Sequence, residues 1–164
     1  MKTKSKHILI HSSPDKVFAY MDNIGNTGMH MMKSSMPMMG SKLQLQQLSS
    51  NNVGPDVKFR WLGKMMGFTM DFTVIVTKWI QSEEKIWETV GDAKMIILSW
   101  YRMHLLLIPI DESTKVELSI DYEKPKNLFF GFIAFFLAPL YANWCLGNML
   151  HDSQMALQIS PVLT

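Results

Sequence analysis

Four side chains in this sequence carry groups suited to proton transfer: His30, Glu88, Arg102 and His104. Glu88 has Ile86 and Val90 as neighbours at strand spacing. A carboxylate buried between them would hold its proton to a raised pH and could act as acid or base. The duller reading is a charge at a strand edge. His30 lies among methionines, near where a pocket entrance would fall. Arg102 and His104 share one strand face with each other. If Tyr101, Met103 and Leu105 point inward, that face points to solvent. Tyr101 and Tyr122 have hydroxyls that could orient a ligand, or simply bond a backbone carbonyl at a cavity rim. Cys145 is the single cysteine and has no neighbouring base. It reads as a small buried hydrophobe, and a reducing, cytoplasmic setting fits. His7 and His11 read as ordinary polar strand positions. No pair has metal-ligand spacing, no glycine-rich phosphate loop occurs and no Ser/His/Asp order is recognisable, so no metal or cofactor is expected.

Residues of this kind need elements to hold them. The most informative is the stretch 128–150, LFFGFIAFFLAPLYANWCLGNML, which has no charged residue. As a helix it would reach roughly 34 Å, enough to cross a bilayer core. The alternative is that a sheet wraps it. Pro139 inside the stretch would interrupt a helical ladder. Upstream, the pattern is mostly period two. Residues 3–11 form a first strand. Ser13 is the expected N-cap of a helix with Pro14 at its first position, running to about Asp22 with Val17, Phe18 and Met21 buried. Leu43, Leu45 and Leu48 mark a second strand, and residues 56–62 a third, with a hairpin between Gly63 and Gly67. Residues 68–80 give the cleanest alternation: Phe68, Met70, Phe72, Val74 and Val76 on one face. One apolar face at period two indicates an antiparallel sheet covered on one side. Residues 85–90 return, Gly91-Asp92 turns, residues 94–108 form a long strand, and 115–123 alternate again.

Composition narrows the functions. The chain has 164 residues, which predicts one domain, and no repeat or linker is visible. A net charge of +2 with scattered basic residues gives no argument for a nucleic-acid partner. The cluster Lys2, Lys4 and Lys6 reads as a solvated terminus or a lipid-headgroup contact. No secretion leader is expected, because only Ile8–Ile10 are apolar before polar residues resume. Methionine is the outlier: six of the 15 fall within residues 29–39. Thioethers bind Cu(I), but no repeated Met-x-x-Met tract supports that. An adaptable pocket lid suits them better.

The order of elements and several residues resemble the START-like superfamily, also called SRPBCC or Bet v 1-like, and within it the polyketide cyclase/dehydrase-like group. The resemblance rests on His11-Ser12-Ser13-Pro14-Asp15-Lys16-Val17-Phe18-Ala19-Tyr20, on the strand from Gly67 to Trp79, on Leu107-Ile108-Pro109 followed by Ser113-Thr114-Lys115-Val116, and on a long last helix with Pro139-Leu140. It covers nearly the whole chain. Met29-His30-Met31-Met32 stands where that family often has a tryptophan, Ser113-Thr114 where it usually has glycine-threonine, and the last helix is richer in phenylalanine.

The resemblance implies an α+β helix-grip fold: a curved antiparallel sheet of six to seven strands closed around the last helix, with two short helices after strand 1. It implies an apolar cavity between sheet and helix that takes a hydrophobic small molecule or lipid. The expected lining is Phe59, Trp61, Phe68, Met70, Phe72, Tyr101, Met103, Tyr122, Phe136, Leu140 and Trp144, with His30 and Glu88 as the polar candidates. Binding or carriage is the first reading. A cyclase/dehydratase-like enzyme, with Glu88 or His30 beside Tyr101, is the second. A third is a membrane-attached protein using the 128–150 stretch, in which Phe129, Phe130 and Phe132 make transient membrane contact.

Overall fold

A computed structural model of the chain describes residues 1–33 and 42–158. Met36, Met38 and Met39 of the methionine cluster lie outside them. The elements are β1 (Lys2–Ile10), α1 (Pro14–Asp22), α2 (Ile24–Thr27), α3 (Met29–Met32), β2 (Leu43–Gln47), β3 (Lys58–Met65), β4 (Phe68–Ile80), β5 (Glu84–Lys94), β6 (Trp100–Ile110), β7 (Ser113–Glu123) and α4 (Leu128–Gln158). The strands form one curved antiparallel sheet in the order β1-β7-β6-β5-β4-β3-β2. This is the helix-grip arrangement.

Alternation decides which face of the sheet is covered. In β4, Met70, Phe72, Val74 and Val76 are buried, and in β7 Val116, Leu118, Ile120 and Tyr122 are buried. The opposite face carries polar side chains that pair across strands: Arg60 with Asp71 at 2.7 Å, Arg102 with Glu88 at 2.6 Å and the His104 ring with Glu84 at 2.9 Å. Two register shifts in the β4–β5 ladder, at Asp71/Thr73 and Val76/Lys78, interrupt regular pairing. Such bulges bend a sheet.

Turn chemistry differs from the sequence reading at two places. The β3–β4 hairpin turns at Met66-Gly67, both with positive φ (54° and 80°), while Gly63 lies within β3. A two-residue turn of that hand matches strand twist. Gly91-Asp92 does not turn: β5 continues through it to Lys94, with Gly91 at φ 69°. The expected strand over 94–108 therefore begins only at Trp100, and residues 95–99 connect the strands. Ile96, Ile97 and Leu98 in that connection are buried.

Helix α1 opens as expected. Ser13 holds an extended backbone at the N-cap and Pro14 is the first helical residue, although the serine side chain makes no capping bond. Val17, Phe18 and Met21 face the core. Its last residue, Asp22, is buried and meets Lys85 of β5 at 2.6 Å. Both side chains are about 95 % buried, so the charges stabilise only because they meet each other and further donors and acceptors. Trp79 Nε1 donates to the second Asp22 oxygen at 2.9 Å, and Lys85 also donates to the Asp22 carbonyl at 2.7 Å.

Helix α4 begins where Asn127 Oδ1 accepts from the Phe129 N–H at 2.9 Å and runs unbroken through Pro139. It packs against β1 and β7 and against α1 and α2. Its orientation corrects the sequence expectation. The residues facing the sheet in its first half are Ala134, Ala138 and Ala142, all fully buried. The large side chains Phe132, Phe135, Phe136 and Leu140 face outward. Alanines four apart lie on one helix face and let the backbone approach the sheet closely. In the second half larger residues turn inward: Cys145, Leu146, Met149 and Leu150.

Candidate functional site

A cavity of about 60 Å³, partly open to solvent, lies between the inner face of the sheet, the short helices and the second half of α4. Strands β3 and β4 contribute Trp61, Met65, Met70 and Phe72, and β5 contributes Trp87. The β5–β6 connection adds Met95, Ile97 and Leu98, while β6 and β7 add Tyr101, Met103 and Ile120. The helices supply Ile24, Thr27, Gly28, His30, Met31, Tyr141, Cys145 and Met149. By this measure one water needs about 10–15 Å³, so the space holds a few waters and no two-chain lipid as it stands. Six wall residues are methionines, whose flexible side chains re-pack around guests of different shape.

Close packing fixes one wall. A Cβ on Gly28 would fall 2.5 Å from the Trp61 ring and 2.9 Å from the Ile24 carbonyl oxygen. Only glycine lets the α2–α3 junction lie on that indole. Phe59 supports the same ring from behind, edge-on at 6.4 Å.

His30 is the polar group of most interest. It is buried, and neither ring nitrogen has a hydrogen-bond partner among the described residues. Burial pushes its pKa down to about 4; the Thr27 backbone opposes this, at a geometry short of a hydrogen bond. At neutral pH it is therefore an uncharged imidazole, with one donor and one acceptor unused. Trp144 packs edge-on against it, centroids 5.1 Å apart. An unpaired buried polar group costs about 1–3 kcal/mol, which a ligand group placed against it would recover.

The other polar wall residues hold their protons. Burial raises the Tyr101 and Tyr141 hydroxyls, and the neighbouring Cys145 adds to both. Burial pushes the Cys145 thiol up to about 12, with Tyr141 opposing. A thiol so far from its thiolate is a poor nucleophile, which accords with its reading as a small hydrophobe.

The expected lining is met in part. Trp61, Met70, Phe72, Tyr101, Met103 and His30 are brought together on the wall. Phe59 and Trp144 stand directly behind it. Tyr122 is fully buried away from the wall, its hydroxyl without a partner among the described residues. Phe68, Phe136 and Leu140 are exposed instead. Phe68 lies at the end of β4 and meets Phe130 edge-on, beyond the cavity. Phe136 and Leu140 are turned out because the alanine face takes the sheet side.

Glu88 is also displaced. The inward residues of β5 are Lys85, Trp87 and Thr89, so Glu88 lies on the outer face and pairs with Arg102. The sequence reading missed much of the wall: Met65, Trp87 and Ile120 on the strands, Met95, Ile97 and Leu98 in a connection read as strand, and the helix residues Ile24, Thr27, Gly28, Tyr141, Cys145 and Met149. Among the described residues no three His, Cys, Asp or Glu side chains converge as a metal site would require.

The architecture and the cavity under the last helix define the class: this is the fold of the START-like, or Bet v 1-like, superfamily. It aligns with a Thermus thermophilus protein at 14% identity and TM-score 0.71, over 98% of this chain and 99% of that one. An aromatase/cyclase from a Streptomyces species aligns at 10% identity and TM-score 0.73, over 96% and 93%. Norcoclaurine synthase from Thalictrum flavum aligns at 13% identity and TM-score 0.66, over 96% and 87%. At these identities the likeness establishes the fold. No family model matches the sequence, and no curated protein does.

Proposed function

We propose that this protein binds a compact hydrophobic small molecule carrying one polar group, with the apolar body against the Met-rich wall and the polar group against His30. The observation that carries this reading is a buried imidazole on the wall of a largely apolar space, both of its nitrogens without a partner among the described residues. A hydroxyl or carbonyl fits either nitrogen of a neutral imidazole. Trp61 and Trp87 add aromatic rings to the wall. The aromatase/cyclase and the norcoclaurine synthase among the structural neighbours are consistent with a small-molecule guest.

Acid–base catalysis has less support. With Glu88 on the outer face, no carboxylate or lysine stands among the described wall residues. His30 is a weak base at a pKa of about 4, and Tyr101 a weak acid. Efficient proton transfer needs groups poised near the working pH.

The test uses 1-naphthol and naphthalene, which differ by one hydroxyl. Quenching of tryptophan fluorescence reads binding of each. Both should bind saturably, with naphthol favoured, and His30→Leu should erase roughly tenfold of that preference, about 1.4 kcal/mol. Absence of saturable binding, or an unchanged preference in the variant, would overturn the reading.

A further inference from the structure

We propose that the outer face of the first half of α4 docks flat on a bilayer bearing anionic lipids. Leu128, Phe129, Phe132, Phe135, Phe136 and Leu140 are 54–92% exposed. At about 100° per residue they share an arc of roughly 140°, a continuous strip along one side of the helix. Single exposed apolar residues are ordinary, but a contiguous strip of this kind marks a docking surface. Only 22% of the most apolar 18-residue window of α4 is buried, whereas a core helix would be mostly covered.

Charge around the strip selects the partner. Lys124 Nζ lies 4.7 Å and Lys2 Nζ 5.5 Å from the centre of the Phe135 ring. Lys2, Lys4 and Lys6 alternate along β1 on the side of Ile10, which is buried under α4. Lys6 Nζ is 3.1 Å from where a Cβ of Gly147 would stand, so this row runs beside the helix. Lys126 precedes the helix. No acidic residue occurs between Lys124 and His151 or between Met1 and His11. Phenylalanines flanked by lysines match the acyl–headgroup boundary of an anionic leaflet. A second copy of this chain would bring the same lysines together and gain no such complement.

The geometry favours lying on the membrane over crossing it. Leu146, Met149, Leu150 and Ser153 in the second half of α4 are buried in the fold, and a span would strip them from it. The surface stands apart from the cavity, so the proposal does not rest on ligand binding.

Flotation with vesicles tests it. The full chain should rise with vesicles of phosphatidylcholine containing about one-third phosphatidylserine, and less with phosphatidylcholine alone or at high salt. Phe132→Ser/Phe136→Ser and, separately, Lys2→Glu/Lys124→Glu should each weaken binding roughly tenfold while melting as the parent does. His30→Leu should bind vesicles normally. The proposal is overturned if the parent stays unbound on anionic vesicles, or if both double variants bind as it does. It is equally overturned if the strip proves to hold a dimer that Phe132→Ser/Phe136→Ser dissociates and vesicles do not compete.

Discussion

Lys85 of β5 reaches across the core to the last residue of α1 and places its ammonium 2.6 Å from Asp22 Oδ1. Burial lowers the lysine pKa, and Asp22 opposes the shift through charge and hydrogen bond. The pair ties the first helix to the middle of the sheet, next to the helix C-terminus, where a cation is also favoured by the helix dipole.

Asp22→Leu leaves that ammonium buried without its countercharge, with the backbone carbonyl of residue 22 still accepting from it. It should cost about 3–5 kcal/mol of stability, whereas Asp22→Leu/Lys85→Met should recover most of the loss. Urea denaturation of the two variants decides the matter. Equal losses would show that the cation does not depend on its partner.

Acid should weaken the fold through His30. Its pKa is about 4 in the folded protein against 6.5 for the free side chain. Between those values the unfolded chain binds the extra proton. The stability is therefore intact above pH 6.5 and falls as the pH drops toward 4, by about 3 kcal/mol from this residue. Tyr101, Tyr141 and Cys145 on the same wall titrate far above that window. The difference in stability between the parent and His30→Gln, followed from pH 7 to 4, should carry this slope. A constant difference would mean the imidazole is not held neutral.

Substitutions on α4 should reverse what hydrophobicity suggests. Ala138→Leu overfills a fully buried position and should cost about 1–3 kcal/mol. Phe132→Ser removes a large apolar side chain that faces outward and should stay within about 0.5 kcal/mol. Thermal melts in dilute buffer test both; the opposite ranking would mean the helix is rotated.

Tyr122 offers a stabilising change. Its buried hydroxyl has no partner among the described residues. Removing it as Tyr122→Phe should raise stability by about 1 kcal/mol, since an unsatisfied buried group costs of that order. A loss in the urea midpoint would reveal a partner for the hydroxyl.

Period-two alternation made the sheet legible, because a half-buried strand writes its two faces into successive residues. The inward faces of β4 and β7 were readable, although β7 begins two residues before the strand read from 115, and Phe68 alternates regularly but is exposed at the first residue of β4, against Phe130. Glu88 misled for a related reason: Ile86 and Val90 are partly buried on the outer face, while Trp87 takes the inward one. The rotation of α4 was hidden because its first half is apolar on every side and so lacks a polar stripe. The alanine spacing 134, 138, 142 was the available signal. Gly91 looked like a turn because a positive φ serves a bulge equally well. The partnership of Lys85 with Asp22 joins residues far apart in sequence, beyond the reach of any local pattern.

The edge position of β1 carries a consequence for biosynthesis. It pairs with β7, Lys2 opposite Tyr122 and Ile10 opposite Thr114, so its neighbour emerges from the ribosome over a hundred residues later. Helix α4 follows after every strand. The nascent sheet thus waits with its oily side open until α4 has emerged, and chain closure with such distant contacts is slow. Newly made copies should lean on chaperones more heavily than their modest size suggests.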